Sequence, residues 1–250
     1  ILRSIMNKLQ KEAAANTPED YRERIAMLTG NRFSLDTKLS VQFSDGTSNY
    51  HDIISSLWEQ NFDLVEECEN YKLSRVPKNN RTGDIVSIKI GKKRFKPLDY
   101  HLMAYGGLVS ERLKRLLDNW DSESFFFTPI DFLAWDGSKF GSEQYYYMTI
   151  RNYVNFSAPS VGIKQSQLPG FTASGFVMGP LEMRYYVALH EDKNIYEKLK
   201  NVGLCAVYFT TDKFFISPAL LQEIRSNEIS GFDVKTLNKD ELKGGTVVYV

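Results

Sequence analysis

Three histidines, His51, His101 and His190, are the first candidates for metal or acid–base chemistry in this chain of 250 residues. They lie about fifty and ninety residues apart, and the sequence contains neither HExxH nor Cys-x-x-Cys. Glu191 and Asp192 follow His190, but a solvated strand end explains this triplet more simply than a metal site. The histidines therefore predict no zinc centre and no general base paired with a nucleophile.

Motifs for a nucleophile or a phosphate are equally weak. The serine in GFTASG, residues 170–175, lacks the glycine two positions earlier that a nucleophile elbow requires. A Gly-Gly pair before Ser110 could offer amides to an anion, although a tight backbone approach at a strand end explains it more simply. We therefore predict no enzymatic activity and no cofactor; a pocket around His101 or His190 is the remaining enzymatic alternative.

A strand–helix–strand unit that occurs twice is the strongest pattern. In 105–133, YGGLVSERLKRLLDNWDSESFFFTPIDFL, Ser110 is placed to cap a helix and Phe125 to begin a strand. A shift of 107 residues places Ser110 on Ser217 and Phe125 on Phe232, within KFFISPALLQEIRSNEISGFDVKTL. Only three of six aligned pairs are identical, so two unrelated helices with the same cap and apolar stripe are the alternative to a true repeat.

These strings resemble a bacterial immunity family from polymorphic toxin systems. The resemblance rests on LVSERLKRLL with FFFTPIDF, on YYYMTIRNYVNF, and on FFISPALLQEI with GFDVKTL, over roughly residues 102–237. Members of that family carry two helices that begin with Ser-x-x-Leu after an apolar residue, a strand pair, and a Gly-Phe near the end. The resemblance implies an α+β protein that binds and blocks one cognate toxin and performs no catalysis.

Composition agrees with a soluble globular protein, since 42% of the residues are hydrophobic and 25% are charged. A formal net charge of zero argues against a protein devoted to nucleic acid. Cys68 and Cys205 are far apart, which favours free thiols and a cytoplasmic location. Apolar runs are too short to cross a membrane. The chain starts at Ile1 rather than methionine, which leaves a missing leader open.

The order of the predicted elements favours an α+β fold with a mixed, largely antiparallel sheet, flanking helices and an N-terminal helical extension. Residues 1–30 show two apolar stripes at helical spacing, separated by a restart signal at Thr17-Pro18. We expect the extension at 1–30 and a single domain at 31–250, with a sub-boundary near 97–101 as the alternative division. The oligomeric state does not follow from these patterns.

Two further patterns predict strands. Gly91-Lys92-Lys93 is expected at a hairpin tip, with a return strand from Phe95. QYYYMTIRNYVNF, residues 144–156, is expected to form one long strand whose alternate side chains face opposite ways.

Charges are segregated along the chain. Segment 45–69 holds seven acids and no Lys or Arg, 72–96 holds nine bases against Asp84, and 118–143 holds six acids against Lys139. The blocks either neutralise one another across the sheet or create a field that steers a charged partner. The basic segment 72–96 supports the alternative function, which is nucleic-acid binding.

A long loop and a nearby turn predict where the toxin binds. The loop 157–180 contains three prolines and four glycines, and loops of such length are usually functional or disordered. It carries two phenylalanines, and a tryptophan precedes an Asp-Gly turn, where aromatics can contribute most of an interface's binding energy. Each aromatic could alternatively plug the end of the core. The predicted partner-binding residues are Trp135, Asp136, Glu143, Phe171 and Phe176.

The acids near Trp135 predict the charge of the partner. Asp131, Asp136 and Glu143 flank the tryptophan in sequence and would favour a basic toxin face.

Overall fold

A computed structural model of the chain describes residues 26–28, 39–46, 73–75, 84–103, 106–154, 199, 201–207 and 214–236. Within these ranges the chain forms twelve strands and two complete helices, α1 (Glu111–Asp121) and α2 (Pro218–Ser226), and residues 199, 201 and 202 are also helical. The strands are β1 (Ala26–Leu28), β2 (Leu39–Phe43), β3 (Leu73–Arg75), β4 (Ile85–Ile90), β5 (Tyr100–Met103), β6 (Gly106–Ser110), β7 (Phe125–Leu133), β8 (Tyr145–Ile150), β9 (Asn152–Val154), β10 (Leu204–Val207), β11 (Phe214–Ile216) and β12 (Val234–Thr236).

The strands form two mixed six-stranded sheets. The first has the order β12-β1-β11-β10-β9-β3, and the second has the order β2-β4-β7-β8-β6-β5. Among the described pairings, β4–β7 and β9–β10 are parallel and the others are antiparallel. This sheet-rich architecture with two helices agrees with the predicted α+β class.

The predicted helical extension at 1–30 is wrong at 26–28. These residues form β1, which lies between β11 and β12 and is hydrogen-bonded to both. Leu28 is buried in the core. A short apolar segment is compatible with both the 3.6-residue spacing of a helix and the two-residue spacing of a strand. Here the two flanking strands supply the backbone hydrogen-bond partners, and the segment forms a strand. The rest of the extension lies outside the described residues, and the domain limits stay a prediction.

The predicted long strand at 144–156 is divided in two. β8 belongs to the second sheet and β9 to the first, with Arg151 between them. Alternation along β8 is as predicted, since Tyr145 and Tyr147 enter one core while Met148 and Ile150 enter the other.

The predicted return strand from Phe95 is also wrong. Residues 91–98 contain no strand, because β4 already has β2 on one side and β7 on the other. The ring of Phe95 instead packs edge-on against Phe132, with 6.1 Å between ring centroids.

The side chains of β7 and β8 alternate between two hydrophobic cores. The first core joins both sheets and both helices, and the second is shared by strands of the second sheet. The first core includes Leu28, Val109, Leu113, Leu117, Met148, Ile216, Leu220 and Ile224. The second core includes Val41, Ile88, Leu108, Ile130, Phe132 and Tyr147. Both cores therefore fix the position of β7, whose end leads into the predicted site.

Strand register supports a true repeat. In the first unit β8 lies between β6 and β7, and in the second unit β1 lies between β11 and β12. Residues that are register partners on neighbouring strands correspond between the units. Val109 pairs with Tyr146 in the first unit as Ile216 pairs with Ala26 in the second, and Phe127 pairs with Met148 as Val234 pairs with Leu28. The offset of 107 residues inferred from the sequence thus aligns both outer strands of each unit without a register slip. The central strand follows the helix in one unit and comes from the N-terminal part of the chain in the other.

The two helix caps are confirmed. Ser110 Oγ accepts a hydrogen bond from the amide of Leu113 at 3.2 Å, and Ser217 Oγ accepts from Leu220 at 3.3 Å. Both serines are buried, so no water can replace these bonds to the first turn of each helix.

A polar clasp joins the two units. The Asp99 carboxylate accepts from Ser110 Oγ at 2.8 Å and from the amide and hydroxyl of Ser230 at 2.8 and 2.7 Å. Burial by itself would raise the pKa of Asp99, but these hydrogen bonds and the charge of Arg112 hold it below its usual value. Asp99 therefore connects the cap of α1 to the segment after α2.

Gly231 makes the clasp sterically feasible. Its φ is +98°, and a Cβ at this position would lie 2.1 Å from the Tyr100 carbonyl oxygen. The next residue, Phe232, stacks on the ring of Tyr100 with centroids 4.5 Å apart.

Replacement of the caps should lower stability by unequal amounts. Ser217→Ala should cost about 1 kcal/mol, a fall of about 2–4 °C in Tm. Ser110→Ala should cost more, because Asp99 also loses a donor. Ser226→Ala, at an exposed position in α2, is the matched control and should leave Tm almost unchanged. Equal melting curves for all four proteins would refute the role of the caps.

Gly231→Ala should destabilise the protein far more than Gly46→Ala. Both glycines have positive φ, but a Cβ at Gly46 would meet no atom within 4 Å. The control should therefore cost about 1 kcal/mol, and Gly231→Ala about 3 kcal/mol or more, measured by urea unfolding. Equal losses would mean that the contact with Tyr100 contributes nothing.

Candidate partner-binding surface

Trp135 lies just beyond the end of β7, in the connection to β8. Its side chain is 46% exposed, and only Val86 is a comparably exposed large hydrophobic residue in the part of the chain that the structure describes. The prediction that Trp135 is at least partly exposed is confirmed, so it does not plug the core. Phe171 and Phe176 lie outside the described residues.

A hydrogen-bonded turn holds Trp135 in place. The amide of Gly137 donates to the Ala134 carbonyl at 3.0 Å, and the amide of Ala134 donates to the Ser138 carbonyl at 2.7 Å. The φ of +88° at Gly137 favours glycine at this position. Asp136 Oδ1 accepts from the amide and hydroxyl of Ser138 at 3.0 and 2.7 Å. The tryptophan is therefore presented by a defined turn, which reduces the entropy lost when a partner binds.

Basic side chains of the preceding segment lie beside this turn. Lys93 Nζ is 4.9 Å from the centroid of the Trp135 ring, a cation–π geometry. Lys89 pairs in register with Leu133, which brings the end of β4 next to the end of β7. The sequence separates these residues by about forty positions, and the parallel β4–β7 pairing brings them together.

The acids near Trp135 are compensated within the chain. Asp131 Oδ1 is 2.5 Å from Lys139 Nζ. Hydrogen bonds from Ser138, assisted by the charge of Lys89, lower the pKa of Asp136. The charge blocks 72–96 and 118–143 thus partly neutralise each other, as one of the two interpretations predicted. Arg75 of the basic block adds a contact of 3.5 Å to Asp121.

We define the Trp135 surface as the side chains around this turn. They are Lys89, Lys93, Asp131, Trp135, Asp136 and Lys139. Of the predicted site residues, the structure brings Trp135 and Asp136 together on it. Glu143 is exposed and lies seven residues beyond Asp136, at the far end of the same connection. The predicted hairpin assigns Lys93 to a separate tip, whereas the β4–β7 pairing brings it to this surface.

His101 belongs to the second core. Its ring lies 5.3 Å from Phe95 and 6.3 Å from Phe132, and Nε2 accepts from the amide of Leu98 at 3.0 Å. Burial lowers the pKa of His101 from 6.5 to about 4, so the ring is neutral at physiological pH. His51 and His190 lie outside the described residues.

The described residues offer neither a cluster of metal ligands nor a membrane-spanning helix. No group of three or more His, Cys, Asp or Glu side chains there could hold a metal ion. Among the helices formed by the same residues, none is long and apolar enough to cross a membrane. Cys205 is a buried free thiol, and Cys68 lies outside the described residues.

The described part of the chain is thus sheet-rich and presents an exposed tryptophan beside a lysine at the end of β7. The model of the Immunity protein family (Imm11) matches residues 52–239. This match spans more than half of the chain, so the chain belongs to that family. The resemblance inferred from the repeated helix motif is therefore confirmed. No curated protein and no solved structure matches the chain.

Acid should destabilise the protein partly through His101. Unfolded histidine binds a proton below about pH 6.5, whereas buried His101 does so only near pH 4. The unfolded state therefore binds more protons in this window, and stability falls as the pH drops through it. Between pH 7.5 and 4.5 we expect His101 to contribute a loss of about 2–3 kcal/mol.

His101→Gln tests this contribution, since the amide oxygen can still accept from Leu98 but cannot titrate. Urea unfolding at both pH values should show a smaller pH-dependent loss for the variant than for the wild type. Parallel pH profiles would show that His101 is not the responsible group.

Proposed function

We propose that this protein protects a bacterial cell by binding one cognate toxin stoichiometrically and covering the toxin's active site, without chemistry of its own. The observation that carries the proposal is membership of an immunity family, whose match covers residues 52–239. Because an occluding inhibitor needs a complementary surface and no reactive group, it requires no motif for a nucleophile, metal or phosphate. A cytoplasmic location follows as part of the proposal, since protection against an intracellular activity requires the inhibitor in the same compartment.

The roles of the polar groups support binding rather than catalysis. His101 is enclosed by aromatic rings, and Asp99 is occupied by two serines. Both groups stabilise the fold in their observed states.

We propose that the Trp135 surface is part of the toxin-binding site, with Glu143 and the loop 157–180 beside it. Tryptophan is enriched among residues that dominate interface energies, because its large ring loses much water-exposed area at little entropic cost. The turn at Asp136–Ser138 already fixes the backbone that carries the ring. Phe171 and Phe176 stay predicted contacts on the loop.

Nucleic-acid binding through 72–96 is the second candidate. Exposed Arg94 and Lys96 favour it, because neither makes an ion pair in the described part of the chain. The contacts of Arg75 argue against a continuous basic patch, because its side chain is bound to Asn152 at 3.2 Å and to Asp121 at 3.5 Å. A mobility shift that weakens steeply with salt would favour this candidate.

The decisive experiment uses a candidate toxin domain, which we expect to be encoded in the reading frame that adjoins the gene of this protein. Expression of that domain should stop growth of a bacterial host, and co-expression of this protein should restore growth. A stable complex of one copy each should appear in size-exclusion chromatography. Lack of protection by the wild-type protein against a toxin encoded there would refute the proposed function.

Trp135→Ala should weaken the complex by about tenfold or more and leave Tm nearly unchanged, because Trp135 lies outside both cores and is 46% exposed. Val86→Ala is the matched control, since Val86 is 42% exposed and lies at the opposite end of β4 from Lys89. Isothermal titration of both variants with the toxin domain measures the difference. Wild-type affinity for Trp135→Ala would remove this surface from the binding site and leave the proposed function standing.

A further inference from the structure

We infer that the toxin presents an acidic patch around the pocket that receives Trp135. The inference rests on the proposed function and specifies the partner's chemistry. It reverses the basic toxin face that the sequence predicts from Asp131, Asp136 and Glu143.

Compensation of the acids is the first step. Asp131 is paired with Lys139 at 2.5 Å, and Asp136 is bound by Ser138 in the turn. An acid that already has a partner gains little from a cation brought by the toxin. Asp131 and Asp136 are therefore already engaged within the chain, while Glu143 lies seven residues beyond Asp136.

Lys93 is the cation of this surface that has no carboxylate partner among the described residues. It is exposed, and its Nζ lies over the face of the Trp135 ring, 4.9 Å from the centroid. Lys139 is paired with Asp131, and Lys89 acts on Asp136. The charge that lies on the indole ring is therefore positive and, within the described residues, unpaired.

Lys114, a second lysine over aromatic rings in this chain, has the carboxylate partner that Lys93 lacks among the described residues. Lys114 Nζ lies 5.4 Å from the centroid of Tyr146 and 5.5 Å from that of Phe127, which is similar to the contact of Lys93 with Trp135. Lys114 additionally has a carboxylate of its own, since Asp118 Oδ2 is 2.6 Å away. Lys114 and Asp118 of α1 form a complete set with the aromatic rings of β7 and β8, whereas Lys93 on the Trp135 ring has no carboxylate partner among the described residues.

Removal of water from the Lys93 ammonium group on binding requires that the toxin supply a carboxylate. Because Lys93 lies over the indole ring, a protein that covers Trp135 also removes water from the ammonium group. A buried ammonium without an acceptor is strongly unfavourable, while one paired with a carboxylate is stabilised in the low dielectric of an interface. A toxin carboxylate near Trp135 would complete the arrangement that Asp118 completes on α1.

The test measures the affinity of the full-length protein for the toxin domain of the adjoining reading frame. In 0.1 M NaCl, Lys93→Gln should weaken binding about tenfold and Lys93→Glu about a hundredfold. Lys114→Gln is the matched control, because it removes an ammonium from an aromatic face elsewhere, and it should bind within about twofold of wild type. At 0.5 M NaCl the difference between wild type and Lys93→Gln should shrink, since screening weakens the ion pair.

Each outcome decides between named alternatives. If Lys93→Glu binds as well as or better than wild type while Trp135→Ala binds weakly, the toxin face is not acidic. This inference is then refuted and the proposed function stands. If both variants bind like wild type while the protein still protects cells, the toxin binds elsewhere and the proposed function stands. If the wild-type protein neither binds the toxin domain nor protects cells from it, both the inference and the proposed function are refuted. Binding of a mixed-sequence 20-base-pair DNA duplex as tight as that of the toxin, and sensitive to Lys93→Gln, would assign the cations to nucleic acid and overturn the inference.

Discussion

The fold depends on the clasp between Asp99 and Ser230. One carboxylate accepts hydrogen bonds from the cap residue of α1 and from the segment after α2 at the same time, so separation of the two units would break the two bonds from Ser230. Gly231 permits this approach, because any Cβ there would collide with the Tyr100 carbonyl. The stacked rings of Tyr100 and Phe232 then close the junction with apolar contact.

The repeat explains why the clasp is central. Each unit places the side chains of one helix and of its outer and central strands in the first core, and equivalent residues of both units meet there. In the second sheet, β4 and β2 extend the first unit beyond β7, and their side chains help to form the second core. The Trp135 surface lies at the end of β7, which both cores hold. A binding turn on such a strand is supported from two sides, as a preorganised contact requires.

The charges near that turn differ between the linear sequence and the folded chain. Counted along the chain, the residues around Trp135 are acidic. In the folded protein β4 lies beside β7, Lys139 neutralises Asp131, and Lys93 covers the indole. Net local charge is therefore a property of neighbouring strands rather than of neighbouring residues.

The sequence by itself determined what depends on a few adjacent residues. The caps at Ser110 and Ser217, the alternation along β8 and the family are of this kind, because local hydrogen bonds and side-chain period encode them. Tertiary structure decided which sheet each strand joins. Residues 26–28 became a central strand because β11 and β12 supply its backbone partners, and the strand after Tyr145 divides at Arg151 because its ends belong to different sheets. The same nonlocal pairing placed Lys93 on Trp135, and no spacing within one segment can encode a contact between two strands.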